Sequence, residues 1–143
     1  MTFVIGDIVA PKSPIGTYSR IRAYRIVVSP EEHPYYSIGV RRVEEEFRRR
    51  CLNERYAILR DTRSYSSAVA NDYEKVGLVQ DVPGLRELMM QERELFERNF
   101  RKRLLEIHDP GFKNTIERMH QTMLMEFDKE MANFLSLVGK YQT

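Results

Sequence analysis

Cys51 closes the run Arg48-Arg49-Arg50-Cys51, and neighbouring cations lower a thiol pKa, which is the first requirement of a cysteine nucleophile. The second requirement, a general base held by an orienting group, has no legible counterpart in this 143-residue chain, so Cys51 reads as a small buried or half-buried thiol. His33, His108 and His120 have neither an i, i+4 spacing nor a Cys-x-x-Cys companion, and the pattern of a metal site is missing. His108 and His120 flank an expected helix turn, where a surface or capping role is expected. The glycines stand singly, without a P-loop or a Gly-x-Gly-x-x-Gly run, so there is no motif for cradling nucleotide phosphates. Glu31-Glu32 and Glu44-Glu45-Glu46 lie in hydrophilic runs, poor settings for a desolvated acid–base couple. The expectation is a protein without catalytic residues, metal or cofactor.

One constellation has a physical use. Arg41, Arg42, Arg48, Arg49, Arg50, Arg55, Arg60 and Arg63 are interleaved with Tyr35, Tyr36, Tyr56 and Tyr65. Arginine forks grip carboxylates and phosphates, and tyrosine gives a flat contact surface that loses little entropy on binding. Both residue types are enriched at interface anchors, which points to recognition of a protein partner through Tyr35, Tyr36, Arg41, Arg42, Arg48, Arg49, Arg50, Tyr56, Arg60 and Arg63. The alternative is direct nucleic-acid binding by the Arg41–Arg63 cluster, with phosphates in the forks and bases on the rings. Glu44–Glu46, Glu54 and Asp61 sit among the arginines and neutralise much of that field, which favours the protein partner.

The whole-chain balance agrees. Twenty-three basic against twenty-one acidic residues leave a net charge of +2, too small to identify a nucleic-acid binder by itself. Seventeen of the cations are arginine, and the basic excess lies in residues 1–80. With 42% hydrophobic and 31% charged residues the composition is that of a folded chain, and no apolar run reaches the ~18 residues of a membrane span. A single cysteine and an amino terminus without a basic-then-apolar leader lead to the expectation of a cytoplasmic protein with no membrane partner.

Two regions must position these residues. Residues 1–80 read as short β-branched and aromatic segments at Asp7–Pro11, Tyr24–Ser29, Tyr35–Val43, Arg55–Asp61 and Tyr73–Val79, with breakers between them that include Ser64–Asn71. In Tyr36–Val43, Tyr36, Ile38 and Val40 share a face, and a bulge is needed to turn Val43 inward. Glu44–Cys51, acidic first and basic last, reads equally as a short helix whose charges suit the backbone dipole. This half resembles the SH3-like small barrels, in which a Gly-Asp-x-Val opening strand precedes a loop and a run of short antiparallel strands: here Gly6-Asp7-Ile8-Val9, then Tyr24–Val28, Tyr56–Asp61 and Tyr73–Gly77. The resemblance implies a small barrel and leaves function open, since such barrels serve as adaptors, nucleic-acid binders and embellishments of larger machines.

After Gln80 the apolar period becomes helical. Asp81-Val82-Pro83 sets up a helix start, and Leu85, Leu88, Met89, Leu95, Phe96, Phe100, Leu104 and Ile107 share one side. Asp109-Pro110-Gly111 breaks the chain before a second stripe of Ile116, Met119, Met123, Phe127, Met131, Phe134 and Val138. The expected architecture is therefore α+β: a small antiparallel β-barrel (1–80), then a long antiparallel helical hairpin (81–143) with helices at about 82–108 and 114–140.

Each helix would run roughly 40 Å at 1.5 Å per residue, past a barrel of roughly 25 Å. The Met-rich apolar surface is wider than one partner helix covers, which predicts a homodimer through Leu85, Met89, Phe96, Phe100, Leu124, Met125, Phe127, Met131, Phe134 and Leu135. The expected function is that of a small intracellular accessory or regulatory factor, an adaptor or inhibitor. It would assemble through its helices and bind a protein through its Tyr/Arg surface.

Overall fold

A computed structural model describes residues 3–12, 22–33 and 41–142 and shows an α+β fold. Among the described residues five strands form one antiparallel sheet: β1 (Asp7–Pro11), β2 (Arg25–Val27), β3 (Tyr56–Arg60), β4 (Tyr65–Val69) and β5 (Tyr73–Leu78). Three α-helices accompany it among the described residues: α1 (Arg41–Leu52), α2 (Val82–Leu104) and α3 (Pro110–Gly139). Short 3-10 turns occupy Pro30–Glu32 and Ala70–Asp72.

Among the described residues the strand order is β4-β3-β2-β1-β5, so the sheet they form is open, with β4 and β5 as its edges. The closed barrel expected from the sequence is not what these ladders form. β1 lies inside the sheet, with Ile8 opposite Ile26 on one side and Gly77 on the other. The β1–β5 register slips between Ile8 and Val9, leaving Val76 as the extra residue on β5. Gly6 ties the start of β1 to both neighbours. Its N–H donates to Val27 O, its carbonyl accepts from Val79 N, each at 2.9 Å, and its φ of +96° is one that side chains resist.

Two expectations about the first 80 residues change. Arg41–Val43, expected to end a strand, open α1 instead, so the helical reading of Glu44–Cys51 holds and extends toward the amino terminus. Glu46 and Arg50 pair at i, i+4 on this helix, at 2.9 Å. The rest of that expected strand, with Tyr35, Tyr36, Ile38 and Val40, lies outside the described residues. Ser64–Asn71 contains strand β4 where a breaker was expected. Its serines hid it by propensity, but Asp61 folds a tight turn, its Oδ1 accepting from the N–H groups of Arg63 and Ser64 at 2.7 Å each, and returns the chain along β3.

The start of α2 follows the sequence closely. Asp81 caps α2 by accepting from Gly84 N at 3.1 Å. Asp109 caps α3 through Gly111 N and Phe112 N, with Pro110 in the first turn, so the expected breaker is also a starter. α2 ends at Leu104, earlier than expected, and α3 starts earlier.

Strand alternation splits the core. Ile8, Ala10, Ile26 and Ile58 pack with Leu85 and Met89 of α2 and Phe134, Leu137 and Val138 of α3. Val9, Val27 and Leu59 form a smaller cluster on the opposite face with Phe3 and Tyr73 packed against it. The two regions thus share one interior.

Candidate functional site: an arginine–tyrosine surface

The β3–β4 register places Arg60 opposite Tyr65 and Tyr56 opposite Val69, so Tyr56, Ile58 and Arg60 share the face of β3 that looks toward the helices. The Arg60 guanidinium lies 5.0 Å from the centre of the Tyr65 ring and 5.7 Å from that of Tyr141. Arg50, from the last turn of α1, lies 5.6 Å from the Tyr56 ring and donates to Ser67 Oγ at 3.0 Å. The positive end of α1 suits its carboxy terminus, where the backbone dipole is negative. Of the sequence-selected residues the structure therefore brings Arg50 to Tyr56 at one end of the β3–β4 ladder and Arg60 to Tyr65 at the other. Arg48 and Arg49 are exposed on α1. Arg63 turns away to Glu130 of α3, at 2.8 Å. The side chains of Arg41 and Arg42, like Tyr35 and Tyr36, lie outside the described residues.

Three further polar clusters were not legible in the sequence. Tyr141, just past α3, donates to Glu32 Oε2 at 2.7 Å and accepts from Arg60 Nη1 at 2.7 Å. Burial pushes its hydroxyl up to about 12, the Glu32 hydrogen bond adding to the shift and Arg60 opposing it. On the other sheet face Arg25 lies 5.8 Å from the Tyr73 ring and donates to the Tyr73 hydroxyl at 3.2 Å and Ser66 Oγ at 3.1 Å, while its Nε is buried without a partner.

The third is an ion network beneath a cleft of about 700 Å³, whose lining includes Met89, Phe96, Met123, Phe127, Arg22 and Glu130. Arg22 bridges Glu74 of β5 and Glu92 of α2, its Nε donating to Glu92 Oε1 at 3.1 Å, and Tyr24 donates to the other Glu92 oxygen. Burial works against the Arg22 charge, but hydrogen bonds and charges from Glu92 and Glu74 outweigh it and hold the guanidinium protonated. Arg22 and Glu92 are 70 positions apart, a separation that no spacing rule detects.

The chemistry weighed for single residues resolves differently. Burial pushes the Cys51 thiol up, away from the nucleophilic thiolate that its arginine neighbours suggested. His120 is not a surface or capping residue: it is buried, stacked on Phe100 and beside Phe96, 5.4 Å between ring centroids. His33 is buried near Tyr65, and its pKa is lowered by that burial. Among the described residues no three His, Cys, Asp or Glu side chains gather to hold a metal.

Of the ten residues expected to mediate assembly, Leu85, Met89, Phe96, Leu124 and Phe134 are inside the subunit, since the sheet and the facing helix cover them. Phe100, Phe127, Met131 and Leu135 are half-buried, and Met125 is exposed. No helix among the described residues is long and apolar enough to cross a membrane. No protein-family model, curated protein or solved structure matches the chain.

Proposed function

We propose that this chain is a non-enzymatic binding protein, a small intracellular accessory or regulatory factor of the adaptor or inhibitor kind. It self-associates through its helices and takes a protein partner on its arginine–tyrosine surface. The observation that carries the partner site is the pair of guanidiniums set over tyrosine rings, Arg50 on Tyr56 and Arg60 on Tyr65, beside the short edge strand β4. Stacking fixes both side chains before a partner arrives, which lowers the ordering cost of binding. An edge strand adds backbone groups that an extended segment of the partner can pair with.

The opening strand from Gly6-Asp7-Ile8-Val9 and the run of short antiparallel strands support placing the sheet with the SH3-like small barrels. The Arg93–Asp128 ion pair at 2.8 Å and the Phe100–His120 stack support an antiparallel hairpin, because the paired positions descend on α3 as they rise on α2. The second reading, nucleic-acid binding, is favoured by the exposure of Arg48, Arg49 and Arg55 at the corner between α1 and β3.

The test compares retention from a host lysate by the intact chain and by an Arg50→Ala/Tyr56→Ala/Arg60→Ala variant that keeps the parent circular dichroism. The reading expects one protein partner, resistant to nuclease and lost with the variant. Retention that disappears on nuclease treatment and falls steeply with salt selects nucleic acid instead. Equal retention by both chains removes this surface from the function.

A further inference from the structure

The apolar stripe that docks α3 on the sheet does not stop where the sheet stops. Phe134, Leu137 and Val138 are buried, but on the amino-terminal half of the same helix Phe112, Met119 and Met123 are 56%, 57% and 46% exposed, with Ile116 and Phe127 half-buried along the same line. At 3.6 residues per turn, positions 112, 116, 119, 123 and 127 form one strip roughly 22 Å long. Three large side chains left open in a row differ from scattered surface hydrophobics and mark a contact surface.

Charge along the helix pair names the occupant. The distal part, residues 98–118, carries six basic against three acidic residues, whereas residues 86–97 and 119–130, nearer the sheet, carry three basic against seven acidic. Each subunit is therefore positive at the tip of its helices and negative in the middle. A second copy laid parallel sets like charge on like. A second copy laid antiparallel sets each positive tip along the other's acidic middle.

We infer that the Phe112–Phe127 strip of α3 seats the same strip of a second copy, antiparallel, about a two-fold axis near residue 120. This rests on the self-association proposed above and gives it a surface and a direction. The two-fold places residues 112–118 of one copy beside 122–128 of the other, so apolar residues meet along the strip and the charged flanks complement each other. Met125, 72% exposed, lies about 200° round the helix from Met123 and takes no part. One helix pair makes an interface at the small end of the range, below about 1,200 Å², so the dimer is expected in the micromolar range and weaker at high salt.

Light scattering on the full chain at about 100 µM, roughly ten times a mid-micromolar Kd or more, reads the mass. The expected result is a dimer that becomes monomeric with Met119→Glu/Met123→Glu and stays dimeric with Met125→Glu, both variants keeping the parent circular dichroism. Direction is read by mixing Thr115→Cys and Glu126→Cys chains, two exposed positions on one flank of the strip that the two-fold sets side by side while each lies far from its own counterpart, each in a Cys51→Ser background, under mild oxidation. The antiparallel pair gives mixed disulfides between the two variants in excess over either chain with itself. A monomeric parent overturns both this inference and self-association. A dimer that survives Met119→Glu/Met123→Glu, or that yields no excess of mixed disulfides, overturns the strip or its direction and leaves self-association through another face.

Discussion

The imidazole of His120 lies flat on the ring of Phe100, with centroids 3.7 Å apart and planes within 1° of parallel. Both ring nitrogens are buried without a hydrogen-bond partner, so the ring fills the space between α2 and α3 as a flat apolar group would. Burial lowers its pKa. Among its charged neighbours on α2, Glu97 pulls the other way, and Arg101 and Arg93 reinforce the lowering.

The helix pair is accordingly expected to weaken in acid. The unfolded chain protonates His120 near pH 6.5, while the folded chain keeps it neutral to lower pH, so below 6.5 the unfolded state binds more protons. The stability contributed by the neutral ring is complete above that value and drains as pH falls toward the folded pKa. His120→Phe, which keeps the stack and removes both orphaned nitrogens, is expected to be more stable at pH 7 and to lose less between pH 7 and about 5.5. Urea midpoints of the two chains across that window check it, and parallel losses would refute the role of His120.

Removing one member of the Arg22–Glu92 pair is expected to cost more than removing both. Their side chains are only 10% and 11% exposed, so Arg22→Met strands a buried carboxylate at a cost of about 3–5 kcal/mol. Arg22→Met/Glu92→Leu replaces the pair with apolar bulk and should recover most of that loss. Denaturant unfolding of both variants and of Glu92→Leu completes the cycle, and additive effects would mean that the two groups are not coupled.

Asp109→Ala is expected to destabilise the protein by about 0.5–2 kcal/mol, because two N–H groups at the start of α3 lose their acceptor. Asp109→Asn, which keeps an accepting oxygen, should stay within a few tenths of the parent. Equal losses for both substitutions would assign the effect to charge at the helix end.

One tyrosine is expected to ionise late. The Tyr141 hydroxyl, held between Glu32 and Arg60, is pushed up to about 12 from an ordinary 10, so the stability it contributes is present below pH 10 and lost as pH rises through 12. In a spectrophotometric titration of the eight tyrosines, a late step should be present in the parent and absent from Tyr141→Phe. A late step that persists in the variant would belong to another residue.

The local elements were written in local sequence. Capping aspartates at positions 81 and 109, the helical stripes after Leu85 and the β-branched segment Asp7–Pro11 each act within one or two turns or one strand, so propensity and spacing determine them. The open sheet, strand β4 and the partners of Arg22, Tyr141 and His120 were decided only by the tertiary structure. The side-chain partnerships join positions that the chain separates, from 20 residues for Phe100 and His120 to 109 for Glu32 and Tyr141, and β4 became a strand only by pairing with β3. The same reason governs the apolar stripes. Spacing showed that Met89 and Met119 both face along a greasy side, but only packing left Met89 1% exposed beneath the sheet and Met119 bare beyond its edge, since burial depends on what lies opposite.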